Sequence, residues 1–178
     1  MSARAAKSVV HVRSEHPGGA GCGRLLAARA RRHLRALGRE GAELSILLVG
    51  DKAIRRLNRT WRGKDVATDV LSFPAAGPGP LLGDVVISLD TARRAAAEEG
   101  RALADELERY LAHAILHLLG HDHEEPAQAR RMAEAEDALV GEGMERASFD
   151  SAPAVPRSGR AGARSRSTSR SRSGPPAR

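Results

Sequence analysis

The sequence predicts a single α+β domain, on three observations. Short apolar strands alternate with helical periodicity over the first hundred residues, and a run of helices follows. The 178-residue length suits one domain with an appendage. Apolar residues make up 41% of the chain, enough for a core and too many for wholesale disorder.

Val9–Arg13 alternates weakly and is the first expected strand. After a Pro17-Gly18-Gly19 turn, Leu25, Leu26, Leu34 and Leu37 mark a helix over Gly23–Leu37, closed by Gly38. Its arginines at 24, 29, 31, 32 and 35 read as a solvated face. Glu43–Val49 is a short apolar strand ended by Gly50, and Asp51 is expected to cap a helix carrying Ile54, Leu57 and Trp61. Thr68–Phe73 and Leu82–Ser88 read as two strands around a Pro- and Gly-rich loop. Asp90 is expected to cap an Ala-rich helix that stops at Gly100. Ala102–Leu119 is the longest periodic segment, and Pro126 suits the first turn of a last helix reaching about Val140.

Composition narrows the function classes. One cysteine, Cys22, cannot close an internal disulfide, which excludes a disulfide framework. No run reaches the roughly 18 apolar residues of a membrane span, and the first twenty residues lack the apolar stretch of a signal peptide, so a cytoplasmic protein is expected. The net charge of +7 is concentrated at one end: residues 151–178 hold seven arginines and no acid, while residues 1–150 are formally neutral. The domain is expected over residues 1–146, with 147–178 a disordered Arg/Ser-rich tail that has too little apolar surface to offset chain entropy. Two readings of the tail stay open, a polyelectrolyte arm for RNA phosphates or the product of an arginine-biased composition.

Four of the seven histidines fall within HAILHLLGHDH. On a helix His113 and His117 lie about 40° apart on one face. They flank an apolar arc of Leu103, Leu107, Tyr110, Leu111, Ile115 and Leu118, with Leu116 and Leu119 on the far side, so this end of the helix is expected to be buried nearly all round. Gly120 is the natural left-handed residue to stop the helix and turn the chain back, bringing His123 to the other two. Three imidazoles converging in this way predict a tetrahedral zinc site, one ion per chain, with an open fourth position. Nickel and copper share the ligand type. His121 is expected to face solvent, and Asp122 either orients an imidazole or caps the turn.

The spacing matches that of zinc peptidases with H-E-x-x-H-x-x-G-x-x-H, but the position of their general base is Ala114. A methyl group cannot move a proton. Three neutral ligands leave an ion its full charge, which suits a phosphodiester better than an amide. A phosphate substrate calls for a fixed cation, and Arg59, Arg62 and Lys64 all precede the third strand. Spacing alone does not choose among them. Asp69, with Thr68 and Ser72, either lines a cleft or bonds loop backbone.

HAILHLLGHDH resembles the H-G-x-L-H-L-x-G-[aromatic]-D-H signature of the YbeY family of bacterial endoribonucleases. LNRTWRGKDVATDVLSFP is similar to the family's L-N-x-x-[YF]-R-x-K-D-x-x-T-D-V-L-S-F-P, and LLGDVVIS to its L-G-D-I-x-I-S, so the resemblance spans about residues 43–140. It implies a small mixed β-sheet packed with helices, a central zinc-bearing helix, and ligands at His113, His117 and His123. It also places an RNA-contacting, activity-bearing arginine at Arg62. The implied activity is single-strand-specific, zinc-dependent RNA cleavage in maturation of the 3′ end of small-subunit ribosomal RNA and in ribosome quality control. The implied partners are single-stranded RNA, ribosomal RNA and the small ribosomal subunit. Ala114 and His121 depart from the pattern, and the tail lies outside it. A metallopeptidase-like hydrolase and a non-catalytic assembly factor with structural zinc remain the alternatives. With one Trp, one Tyr and two Phe, RNA recognition is expected to be mainly electrostatic.

Overall fold

A computed structural model describes residues 6–121 and 125–150 of the chain, from 142 onward by backbone alone. The expected α+β class is what forms. Strands β1 (Val9–Ser14), β2 (Glu43–Val49), β3 (Val70–Pro74) and β4 (Leu81–Ser88) make one sheet in the order β1-β2-β4-β3. The first two pairings are parallel and β3 runs antiparallel to β4, giving the mixed sheet the resemblance implied. Helices are α1 (Cys22–Ala36), α2 (Asp51–Arg62), α3 (Leu89–Glu98), α4 (Leu103–Leu118) and α5 (Pro126–Asp150). The last helix starts at Pro126 as expected but continues well past Val140, across the boundary drawn at residue 146. None of the helices among the described residues is long and apolar enough to cross a membrane.

Strand alternation divides the core. Leu44, Ile46 and Leu48 of β2, with Val85 and Ile87 of β4, face one side and bury Leu26, Ala30 and Leu34 of α1 and Leu107, Leu111 and Ile115 of α4. Leu71, Val86 and Val49 face the other side, where Ile54 of α2 covers them. The far side of α4 is also closed, because Ala112 and Leu116 pack on Met132 and Leu139 of α5. The central helix is therefore enclosed by the sheet, α1 and α5, matching the nearly all-round burial its periodicity predicted.

At Gly83 the backbone approaches too closely for any side chain. Its φ is +147°, and an added Cβ would stand 2.3 Å from the Phe73 carbonyl oxygen and 2.9 Å from Leu118 Cδ2. The same place carries a register shift, where Leu44 pairs with Gly83 and Glu43 with Leu81. This bulge seats β4 on α4 just beyond the histidines.

Three expectations are corrected. Asp51 does not cap its own helix: Gly50 is the N-cap, and Asp90 Oδ2 accepts the Asp51 N–H at 3.0 Å. Nor does Asp90 cap α3, whose N-cap is Ser88. Asp51 Oδ1 instead accepts from the hydroxyls of Ser88 (2.6 Å) and Thr91 (2.8 Å), so the two aspartates serve each other's helix. These bonds, with Arg94 beside it, hold the Asp51 carboxyl below the usual range although its burial acts in the opposite sense. The α1 arginines are not a uniformly solvated face either. Arg29 and Arg32 bend inward to pair with Glu108 of α4, a buried carboxylate.

Candidate metal and phosphate site

The histidine pair stands where α4 runs out of apolar cover. Leu119 ends the helix, and Gly120 follows with φ +84°. Its N–H reaches the His117 carbonyl at 2.9 Å, and the His121 N–H reaches that of Leu116 at 3.0 Å. This pair of bonds is a Schellman stop, the role assigned to Gly120. His121 is exposed, as expected. Asp122 and His123 lie outside the described residues, so the predicted third ligand and its neighbour have no structural account here.

His113 Nε2 and His117 Nε2 are 3.1 Å apart, with the rings inclined at 76°. Two nitrogens about 2.0–2.1 Å from one ion at the tetrahedral angle stand about 3.3 Å apart. The pair thus fits two corners of a zinc site. Among the described residues no further His, Cys, Asp or Glu completes a cluster that could hold a metal.

Sequence reasoning missed Glu136. Its Oε1 accepts a hydrogen bond from His113 Nδ1 at 2.6 Å, on the ring nitrogen facing away from His117. Glu136 lies on α5, 23 residues along the chain. Its only signal in the sequence was an acidic residue in the last helix, one of several there.

The histidines open into a cleft of about 830 Å³ that Arg62, Lys64, Asp69 and Ser72 also line. Arg62 gets there because α2 ends just after it. Gly63, with φ +70°, turns the chain and donates to the Arg59 carbonyl, while Asn58 Nδ2 holds the loop through the Val66 carbonyl at 2.9 Å. Arg62 Nη2 reaches the Ser72 carbonyl at 3.3 Å and has no carboxylate partner among the described residues. Arg59 turns elsewhere, toward Asp65 at 3.9 Å. The three-way choice among cations narrows to Arg62 and Lys64. Asp69 does both things allowed it: it lines the cleft, and its Oδ1 accepts from Thr68 Oγ1 and the Val70 N–H at 2.8 Å each. Ala114 is fully buried and lines the cleft floor, so its methyl is accommodated.

Two adjacent imidazoles and an uncompensated guanidinium on one cleft suit an anionic substrate held between a cation and an ion. The family model described as Endoribonuclease YbeY matches residues 25–142. A protein named Endoribonuclease YbeY from Anaeromyxobacter sp. (strain Fw109-5) is 64% identical over 134 residues, 74% of this chain and 70% of the relative. Its namesake in Myxococcus xanthus (strain DK1622) is 57% identical over 145 residues, 78% of this chain and 49% of the relative. The solution structure of a Thermotoga maritima protein superposes with a TM-score of 0.53 at 24% identity, covering 83% of this chain and 99% of that one, a likeness of fold.

Proposed function

Because the chain belongs to the YbeY endoribonuclease family, we propose that it cleaves single-stranded RNA in the maturation of ribosomal RNA, at the cleft shared by His113, His117 and Arg62. The observation that carries this reading is the 3.1 Å approach of the two imidazole nitrogens on a cleft shared with an arginine that has no carboxylate partner among the described residues.

His113 and His117 would hold a zinc ion together with His123. The chemistry such an ion supplies is Lewis-acid polarisation of a phosphoryl oxygen and acidification of water. The residues of the chain do the rest. Glu136 keeps the His113 proton on Nδ1, which leaves the Nε2 lone pair facing His117. Arg62 offers a planar fork to two phosphate oxygens and stays charged at any working pH. Its bond to the Ser72 carbonyl fixes the guanidinium without neutralising it. Lys64 adds a second positive charge in the same cleft. Ala114 stands where the zinc peptidases carry their general base, which disfavours peptide hydrolysis.

Residues 1–146 form the catalytic unit in this reading, acting on the small ribosomal subunit, with the Arg/Ser-rich tail as an appendage. Metal analysis of wild-type and His113→Ala protein, run beside cleavage of single-stranded RNA and of unstructured peptide, tests the whole. One equivalent of metal and RNA cleavage are expected in wild type, and both should be lost in the variant. Peptide cleavage that stops in His117→Ala would replace this function with a peptidase.

A further inference from the structure

Helix α2 is a ridge between two cavities. Residues 57 and 61 form one stripe along it and 58 and 62 another, about 100° round the axis. Asn58 and Arg62 line the histidine cleft, whereas Leu57 and Trp61 line a groove of about 900 Å³ on the outer face of the sheet. Strand β3 divides in the same way, with Ser72 on the cleft and Phe73 in the groove. One helix turn and one strand therefore separate the position for a substrate phosphate from an apolar trough.

Trp61 is the only tryptophan in the chain, and it is 66% exposed. Its ring is steadied by an edge contact with Phe73, centroids 6.0 Å apart at 68°, which leaves most of the indole in water. The same helix carries its cations on other faces: Lys52, Arg55, Arg56, Arg59 and Arg62 are all exposed on α2. Arg55 and Arg59 share Asp65, but Lys52 and Arg56 have no carboxylate at ion-pair distance among the described residues. An occupant of this ridge must join negative charge to flat apolar faces. Single-stranded RNA has both, whereas a duplex hides its base faces and an apolar protein segment gives the cations no partner. At the groove Glu15 is paired with Arg13 at 3.5 Å, so Asp84 is left to favour a neutral base there and the phosphates fall to the α2 cations.

We propose that Trp61 is the stacking platform for an RNA base beside the nucleotide whose phosphate meets Arg62. This role deepens the ribonuclease reading and rests on it. The strand then crosses α2, with its backbone on the ridge cations and one base laid on the indole.

The lone tryptophan makes the test direct. The full chain is titrated at low salt with a labelled, 2′-O-methylated single-stranded oligonucleotide, following label anisotropy and Trp61 emission together, and in parallel with inorganic polyphosphate. The oligonucleotide should quench the emission as it binds, and polyphosphate should bind without quenching. Trp61→Ala should weaken oligonucleotide binding about 5- to 150-fold, and Trp61→Phe should restore most of it. Binding with emission unchanged, or wild-type affinity in Trp61→Ala, overturns the stacking role while leaving the ribonuclease reading intact. No binding at all in wild type removes that reading and the platform with it.

Discussion

Two glutamate–histidine pairs join α4 to a neighbouring helix, and they serve different ends. Toward its N-terminus Glu108 faces His33 of α1, and toward its C-terminus His113 faces Glu136 of α5. The first pair is sealed. His33 is fully buried and Glu108 is 1% exposed, with Arg29 and Arg32 closing on the carboxylate. Glu108 Oε1 stands 3.4 Å from His33 Nε2, yet neither ring nitrogen of His33 has a hydrogen-bond partner among the described residues. Two guanidiniums already balance Glu108, so His33 stays neutral, its pKa pushed down to about 4 by burial and then by Arg32 and Arg29. In the second pair both side chains keep partial exposure, and the ring's other nitrogen opens on the cleft. The same two residue types thus meet as a sealed contact where charge is enclosed and balanced, and turn one ring nitrogen toward a cavity where they stay partly exposed.

The two pairs should differ most when Glu108 is removed. Glu108→Ala leaves Arg29 and Arg32 beside a buried void, and a loss of about 3–5 kcal/mol is expected in chemical denaturation. Metal affinity of the protein that remains folded should hold. A mutation at the other end should do the reverse: Arg62→Ala is expected to cut RNA cleavage about 10²- to 10³-fold with metal content and melting temperature unmoved. Loss of metal in that variant would mean that Arg62 supports the site rather than the substrate. A smaller effect is expected from Glu136→Ala, about 10- to 100-fold weaker zinc binding by chelator competition. Glu136→Gln should fall between it and wild type, because the amide oxygen still accepts from Nδ1. Met132→Ala, which loosens α5 without touching His113, separates orientation of the ring from packing of the helix.

The smallest effect concerns acid. The folded pKa of His33 lies below its ordinary 6.5, so the unfolded chain takes up this proton first. Stability from the neutral ring is present above pH 6.5 and lost as pH falls toward 4. Between pH 7 and 5.5 the loss from this one group is about 1 kcal/mol. Replacing the ring with one that cannot titrate, His33→Phe, should flatten the acid limb of the stability curve by that amount. An unchanged slope would show that His33 is protonated in the fold.

Much of the site was legible because its parts are close in sequence. The i, i+4 histidines, the glycine that stops α4 and the periodicity that surrounds them depend on local geometry, which 3.6 residues per turn decides. Strand β2 and the start of α5 at Pro126 were readable for the same reason. Glu136 was not. It comes from a separate helix whose seating depends on Met132 and Leu139 meeting Ala112 and Leu116, and several acids nearby looked equivalent. The exchange of caps between Asp51 and Asp90 was hidden likewise, since each aspartate sits at a plausible position for its own helix.

Local patterns along the chain were enough for the α+β class, the helix that carries the histidines and the kind of chemistry they suit, because periodicity, turn residues and ligand types act over a few residues. The packing of distant segments settled which arginines are locked to Glu108, which cations face the cleft, which carboxylate holds His113 and where the single tryptophan lies. Those outcomes depend on which distant groups packing brings within hydrogen-bond reach, and side chains that look alike along the chain differ in the burial and neighbours that set their charge and their use.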